Sequence, residues 1–124
     1  MSAYESIVAT REAAIAACEP YDYVVSPVSP ILPYAAEAAC PGDDPHDALP
    51  HIAFTIPYNM SEQPAASLNW TFSPDALQDR DGPAGGLPIG VQVIGRRYDD
   101  LGVLRLAHAL ERLRPEQKPW PEPS

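Results

Sequence analysis

Side chains able to ligate a metal or move a proton gather in one stretch, where His46 and His51 stand among Asp43, Asp44 and Asp47. Imidazole and carboxylate together could hold a divalent cation, but a metal site needs ligands on a scaffold that fixes their geometry. Pro41, Pro45 and Pro50 break the backbone through this stretch, so it reads as a loop and no metal is expected there. His108 lies beside an apolar helical stripe and reads as a packing residue. Cys18 and Cys40 are too few and too far apart for a disulfide framework or a paired-cysteine knuckle, so reduced thiols are expected, with Cys18 beneath a helix. The run from Gly90 to Gly95 has the glycine spacing of a phosphate loop, yet Arg96 and Arg97 stand where a lysine followed by serine or threonine is needed. Two glycosylation sequons, at Asn59 and Asn69, carry no meaning without a secretory signal. None of these groups calls for a cofactor.

The elements that would position such residues are legible in the pattern. Ser2 followed by Glu5 is a capping box, and Tyr4, Ile7, Val8, Ile15 and Cys18 recur at helical spacing until Pro20 ends the run. Tyr23-Val24-Val25 before Ser26-Pro27 predicts a short buried strand. Seven prolines between 27 and 57, with Pro64 soon after, leave little regular structure beyond a short helix near Ala35–Ala39. Leu68, Trp70 and Phe72 alternate with polar residues and predict a second strand over 66–72. Residues 73–86 form a surface excursion.

The clearest strand is 87–94, dense enough in apolar residues to be covered on both faces and to run through the middle of a sheet, with Val91 buried. Asp99 or Asp100 caps a last helix whose stripe is Val103, Leu106, Ala107, Leu110 and Leu113. Residues 1–114 thus make one unit with a long loop at about 27–57, followed by a proline-rich tail at 115–124.

Composition bounds the function. Only 26 of 124 residues are Leu, Ile, Val or Phe, against 16 prolines, so the core is small for the length. With 17 acidic and 8 basic residues the net charge is −9, which argues against nucleic acid or an acidic membrane surface as partner. No apolar run is long enough to span a bilayer, and the N-terminus lacks the order of a signal peptide, so a cytoplasmic protein is expected.

One set of motifs goes further. Tyr21-Asp22-Tyr23-Val24-Val25-Ser26-Pro27 is followed by Phe54-Thr55-Ile56-Pro57-Tyr58-Asn59, then Gln63-Pro64-Ala65-Ala66-Ser67, then Gly86-Leu87-Pro88-Ile89-Gly90-Val91-Gln92-Val93-Ile94-Gly95. In this order they resemble the C-terminal part of the amidase signature family, serine hydrolases that cleave amide bonds and include the glutamine-hydrolysing component of an amidotransferase. Glu62 departs from that pattern, since many relatives carry glycine there, and should alter the turn before Pro64.

The resemblance implies an α/β fold in which a few mixed strands flanked by helices join a larger sheet. It implies that Phe54, Thr55, Tyr58, Asn59 and Met60 help wall a substrate pocket, although packing of a tight turn would account for them as well. It also implies what is missing. The family works through a lysine, a serine in a cis peptide and a nucleophilic serine, whereas the only lysine here is Lys118 in the tail and no two serines are adjacent. No catalytic residue is therefore assigned. The chain is expected to be inactive alone and to need a missing N-terminal amidase portion, or to self-associate, with a small-molecule amide bound only in the intact enzyme. The alternative is a stand-alone protein-interaction module derived from the same fold.

Overall fold

A computed structural model of the chain describes residues 2–34, 38, 41, 49–73 and 86–115. Helix α1 (Ala3–Cys18) opens on the expected capping box: Glu5 N donates to Ser2 Oγ at 3.3 Å and Ser2 N donates to Glu5 Oε2 at 2.6 Å. Only its C-terminal half is anchored. Ala14 and Cys18 are buried, whereas Tyr4 and Ile7 are exposed, so the apolar stripe read from the sequence does not continue to the first turn.

Three strands follow the helix along the chain: β1 (Tyr23–Pro27), β2 (Ala65–Phe72) and β3 (Pro88–Gly95). They form one antiparallel sheet in the order β1-β3-β2, with β3 central. The fold is α/β, as the sequence indicates. β1 is an edge strand, and Val25 is 54% exposed, which corrects the expectation of a strand buried throughout.

On β3, Gln92, Val93 and Ile94 are all buried, so both faces are covered at its C-terminal half. Val91 is only half-buried, contrary to expectation. Helix α3 (Asp100–Leu113) follows β3 after a short turn and packs on β2 and β3. A Cβ at Gly95 would fall 2.6 Å from Val103 Cγ2, so this close packing requires glycine.

Asp99 caps α3 by accepting from Gly102 N at 3.1 Å. Val103 and Ala107 are buried and Leu106 and Leu110 half-buried, but Leu113 is exposed and leaves the stripe.

Between β1 and β2 the described residues include a 3-10 turn, Pro50–Ile52, and a short helix, α2 (Ile56–Ser61), where the sequence suggested only a tight turn. α1 packs against α2. Of the expected helix at 35–39 only Ala38 is described, and the His46 cluster and the tail beyond Pro115 lie outside the described residues.

The excursion after β2 has its ends tied together. Ser73 N donates to Leu87 O at 2.8 Å, Leu87 N donates to Ser73 Oγ at 2.9 Å, and Gly86 takes the left-handed conformation (φ 79°) that this closure needs.

Candidate functional site

The five residues singled out by resemblance sit on α2 and the turn before it. Thr55 precedes the first helical residue, and its Oγ1 donates to Ile52 O at 3.0 Å while its carbonyl accepts from Asn59 N at 3.1 Å. Thr55 is thereby committed to shaping the turn. Tyr58 and Asn59 are different: neither side chain has a hydrogen-bond partner among the described residues. Burial pushes the Tyr58 phenol above the ordinary tyrosine value, helped by the neighbouring Cys18 thiol, so it is a neutral O–H donor at physiological pH. Phe54 is exposed and contributes its carbonyl, and Met60 is half-buried.

Thr55, Tyr58 and Asn59 line one open concavity of about 320 Å³, whose other side is the sheet, contributed by Val28, Ala65, Ala66, Ser67 and Gln92. Phe54 and Met60 do not line it. The sheet side is polar for a physical reason. Ser26, Gln92 and Ser67 are direct partners across the three strands, so they form a row on one face. Gly90 lets Val28 lie against that floor, since a Cβ there would meet Val28 Cγ2 at 2.8 Å.

Gln92 organises the row. It is 3% exposed, and its Nε2 lies 3.0 Å from Ser26 Oγ, 3.3 Å from Pro27 O and 2.8 Å from Phe54 O. One amide thus joins β3, the end of β1 and the turn that carries Thr55. Sequence reasoning missed Gln92 as a site residue. The available signal was a lone polar residue in an otherwise apolar central strand, since a buried polar group is the informative exception.

The far end of α2 is fixed as firmly. Glu62 ends the helix in the left-handed region (φ 58°, ψ 29°), a conformation glycine adopts freely and other residues at a cost. Arg11 from α1, at 3.1 Å, and Arg97 from the turn after β3 both grip its carboxylate. Next to it Gln63 is buried. It accepts from Ser61 Oγ at 2.8 Å and donates to Gly95 O at 3.0 Å, while Gly95 N donates to Pro64 O at 3.0 Å. These contacts hold Tyr58 and Asn59 at a set distance from the sheet.

Chemically, the concavity offers a phenol donor, a carboxamide and a serine hydroxyl, groups that can read a carbonyl or an amide. Among the described residues no lysine stands near any serine, and no three His, Cys, Asp or Glu side chains converge on a metal-sized space. No described helix is long and apolar enough to cross a membrane.

Comparison with known proteins places this arrangement. The family model described as Amidase matches residues 1–104. The glutamyl-tRNA(Gln) amidotransferase A-subunit of Thermodesulfovibrio yellowstonii is 34% identical over 105 residues, 85% of this chain and 19% of that protein. Its counterpart in Exiguobacterium sibiricum is 35% identical over 91 residues, 73% of this chain and 16% of that protein. The crystal structure of the glutamyl-tRNA(Gln) amidotransferase A-subunit from Thermotoga maritima superposes with a TM-score of 0.70 at 29% identity, covering 93% of this chain and 23% of that one. The chain therefore spans less than a fifth of the length of these two curated relatives. By sequence and by fold, the chain belongs to the amidase family.

Proposed function

We propose that the chain is the C-terminal, wall-building portion of an amide-bond hydrolase, and that the groups which perform the chemistry come from polypeptide outside residues 1–124. The observation that carries this reading is the convergence of Thr55, Tyr58 and Asn59 with Ser67 and Gln92 on one open concavity. Such a wall can orient a carboxamide through Tyr58 and Asn59, and since the family the chain resembles includes a glutamine-hydrolysing component, glutamine is a first substrate to try.

It cannot attack one. A serine hydroxyl is a poor nucleophile at neutral pH without a positioned base, and the oxyanion that develops needs preorganised donors. The only lysine, Lys118, lies in the proline-rich tail, and the serines are scattered singly. Catalysis then depends on an amidase N-terminal portion that brings the lysine and both serines. The setting is cytoplasmic, and the substrate is a small amide rather than nucleic acid or lipid.

The test is direct. The purified chain should not hydrolyse glutamine or simple aliphatic and aromatic amides above a heat-killed control, and should not react with a fluorophosphonate probe. Mixing it with the N-terminal portion of an amidotransferase relative should produce hydrolysis, with the probe on the added polypeptide. Stoichiometric labelling of a serine within residues 1–124 would falsify this reading, and a stable chain that ignores the added portion would favour the stand-alone interaction module.

A further inference from the structure

A second hollow, of about 180 Å³, lies beside the concavity and is lined by Val28, Ile31, Leu32, Tyr34, His51 and Ile89 among others. Both open on one face of the sheet. Gly90, in the floor of the hollow, stands two residues from Gln92 on β3 and so faces the same side, and a Cβ there would fall 3.5 Å from Ser67 Oγ in the wall of the concavity. Val28 lines both spaces. Its N donates to Gly90 O at 3.0 Å, so it forms a fixed sill between them.

The two spaces differ in chemistry. The concavity presents Tyr58, Asn59 and Ser67, whereas the hollow is largely aliphatic and aromatic. Its one serine, Ser29, accepts from Ile31 N at 3.3 Å and is used within its own turn. The Tyr34 and His51 rings meet edge to face with centroids 5.7 Å apart. His51 Nδ1 is buried with no hydrogen-bond partner among the described residues, so packing against Tyr34, and not a bond at this nitrogen, places the ring. Among the described residues, no Lys, Arg, Asp or Glu lines either space.

We propose that the two spaces form one bipartite site for an uncharged aryl amide, with the carboxamide against Tyr58 and Asn59 and the ring in the hollow at Leu32, Tyr34 and His51. This rests on the proposed function and adds the substrate class. A cavity of about 150 Å³ holds a benzene ring, so the hollow has the right size. A third ring can also join the Tyr34–His51 pair edge to face. Because a single side chain separates the two spaces, the link between ring and carboxamide is short. Glutamine suits this wall less well, since its ammonium and carboxylate would lose water here without a charged partner.

Binding is read from chemical shifts of the full chain, with phenylacetamide, acetamide and glutamine as probes. Phenylacetamide should shift Leu32 and Ile89 together with Tyr58 and Asn59, and should bind about tenfold or more tightly than either other probe. Leu32→Trp fills the hollow and Tyr34→Ala removes one of its rings. Both side chains are exposed, so the fold should tolerate either change. Each should weaken phenylacetamide about fivefold or more and leave acetamide within about twofold. In the mixture with the N-terminal portion of an amidotransferase relative, the ratio of kcat/KM for phenylacetamide to that for glutamine should be about tenfold or more above the ratio of the relative's intact enzyme.

Phenylacetamide binding that neither variant weakens, or a ratio no higher than that of the intact relative, overturns the aryl hollow, and hydrolysis in the mixture would still uphold the proposed function. Glutamine binding as tight as that of phenylacetamide overturns the choice of an uncharged ligand. Absence of any amide hydrolysis in the mixture overturns the proposed function itself, and the shifts in the chain alone still decide the hollow.

Discussion

The Gln92 side-chain amide donates to the carbonyl of Phe54 at 2.8 Å, and through this bond the central strand holds the turn that presents Thr55, Tyr58 and Asn59. The two residues are 38 positions apart in sequence, and α2 is too short to hold its own place. Gln92 therefore sets the distance between the two walls of the concavity.

Replacing Gln92 by methionine keeps the volume and removes the donor. It leaves Phe54 O and Ser26 Oγ without their partner in a part-buried place, where an unsatisfied group costs about 1–3 kcal/mol. Chemical denaturation should show a loss of that size with an unchanged denaturant slope. A variant as stable as the wild type would mean that water replaces the amide at no cost and that Gln92 does not organise the site.

Glu62 sets two effects against each other. Its left-handed backbone costs about 1 kcal/mol relative to glycine. Its ion pairs with Arg11 and Arg97 are solvent-accessible, and each such pair is worth roughly 0–1 kcal/mol. Glu62→Ala keeps the strain and loses the pairs, so it should destabilise the chain; Glu62→Gly loses both and should lie within about 0.5 kcal/mol of the wild type, less affected by salt. Melting curves of the three proteins at low and high ionic strength check this. Equal loss in both variants would show that the ion pairs, and not the backbone, decide.

Tyr23 Oη donates to Asp99 Oδ2 at 2.9 Å, tying the edge strand β1 to the residue that caps α3. This hydrogen bond to Asp99 is the main cause that raises the phenol above the ordinary tyrosine value of 10.0, with desolvation and the Asp99 charge adding to it. Because the folded value is the higher one, the contribution is complete below pH 10.0 and fades as pH rises beyond it, when the unfolded phenol loses its proton first. Tyr23→Phe should lower the melting temperature at neutral pH and make its alkaline decline shallower. Some decline should remain, because the Tyr58 phenol is raised as well. Parallel curves for the two proteins between neutral and alkaline pH would refute the coupling.

What the sequence made legible follows from the range of the interactions involved. The capping box at Ser2 and Glu5, the cap at Asp99 and the apolar density of β3 are local signals, and each corresponds to an observed element. Burial was harder to read because it depends on partners far along the chain. Val91 and Val93 look alike in the strand pattern, yet Val93 is fully buried and Val91 is not.

The site divides in the same way. The Phe54–Met60 motif drew attention to this turn, but that the turn leads into a helix, and that Gln92 ties it to Ser26 and pairs with Ser67, follows from strand register across 66 positions. No pattern within a single window contains that information.

The last prediction tests the proposed substrate wall in a complex with an added amidase N-terminal portion. Tyr58 and Asn59 carry side-chain polar groups with no partner among the described residues, whereas the Thr55 hydroxyl is already used by Ile52. A group free in the chain is free to bind substrate, and loss of one hydrogen bond to a substrate carboxamide costs about 1–3 kcal/mol, or roughly 5- to 150-fold in kcat/KM. In the complex with an added N-terminal portion, Tyr58→Phe and Asn59→Ala should each lower kcat/KM for glutamine within that range. The loss should appear mainly as a higher KM, because in the proposed function these groups hold substrate and do not take part in bond cleavage. Thr55→Val should instead lower stability, through the lost bond to the Ile52 carbonyl, and leave KM close to the wild-type value. If Tyr58→Phe and Asn59→Ala change neither KM nor kcat while the complex still forms, the concavity is a packing feature of the turn and the substrate lies elsewhere.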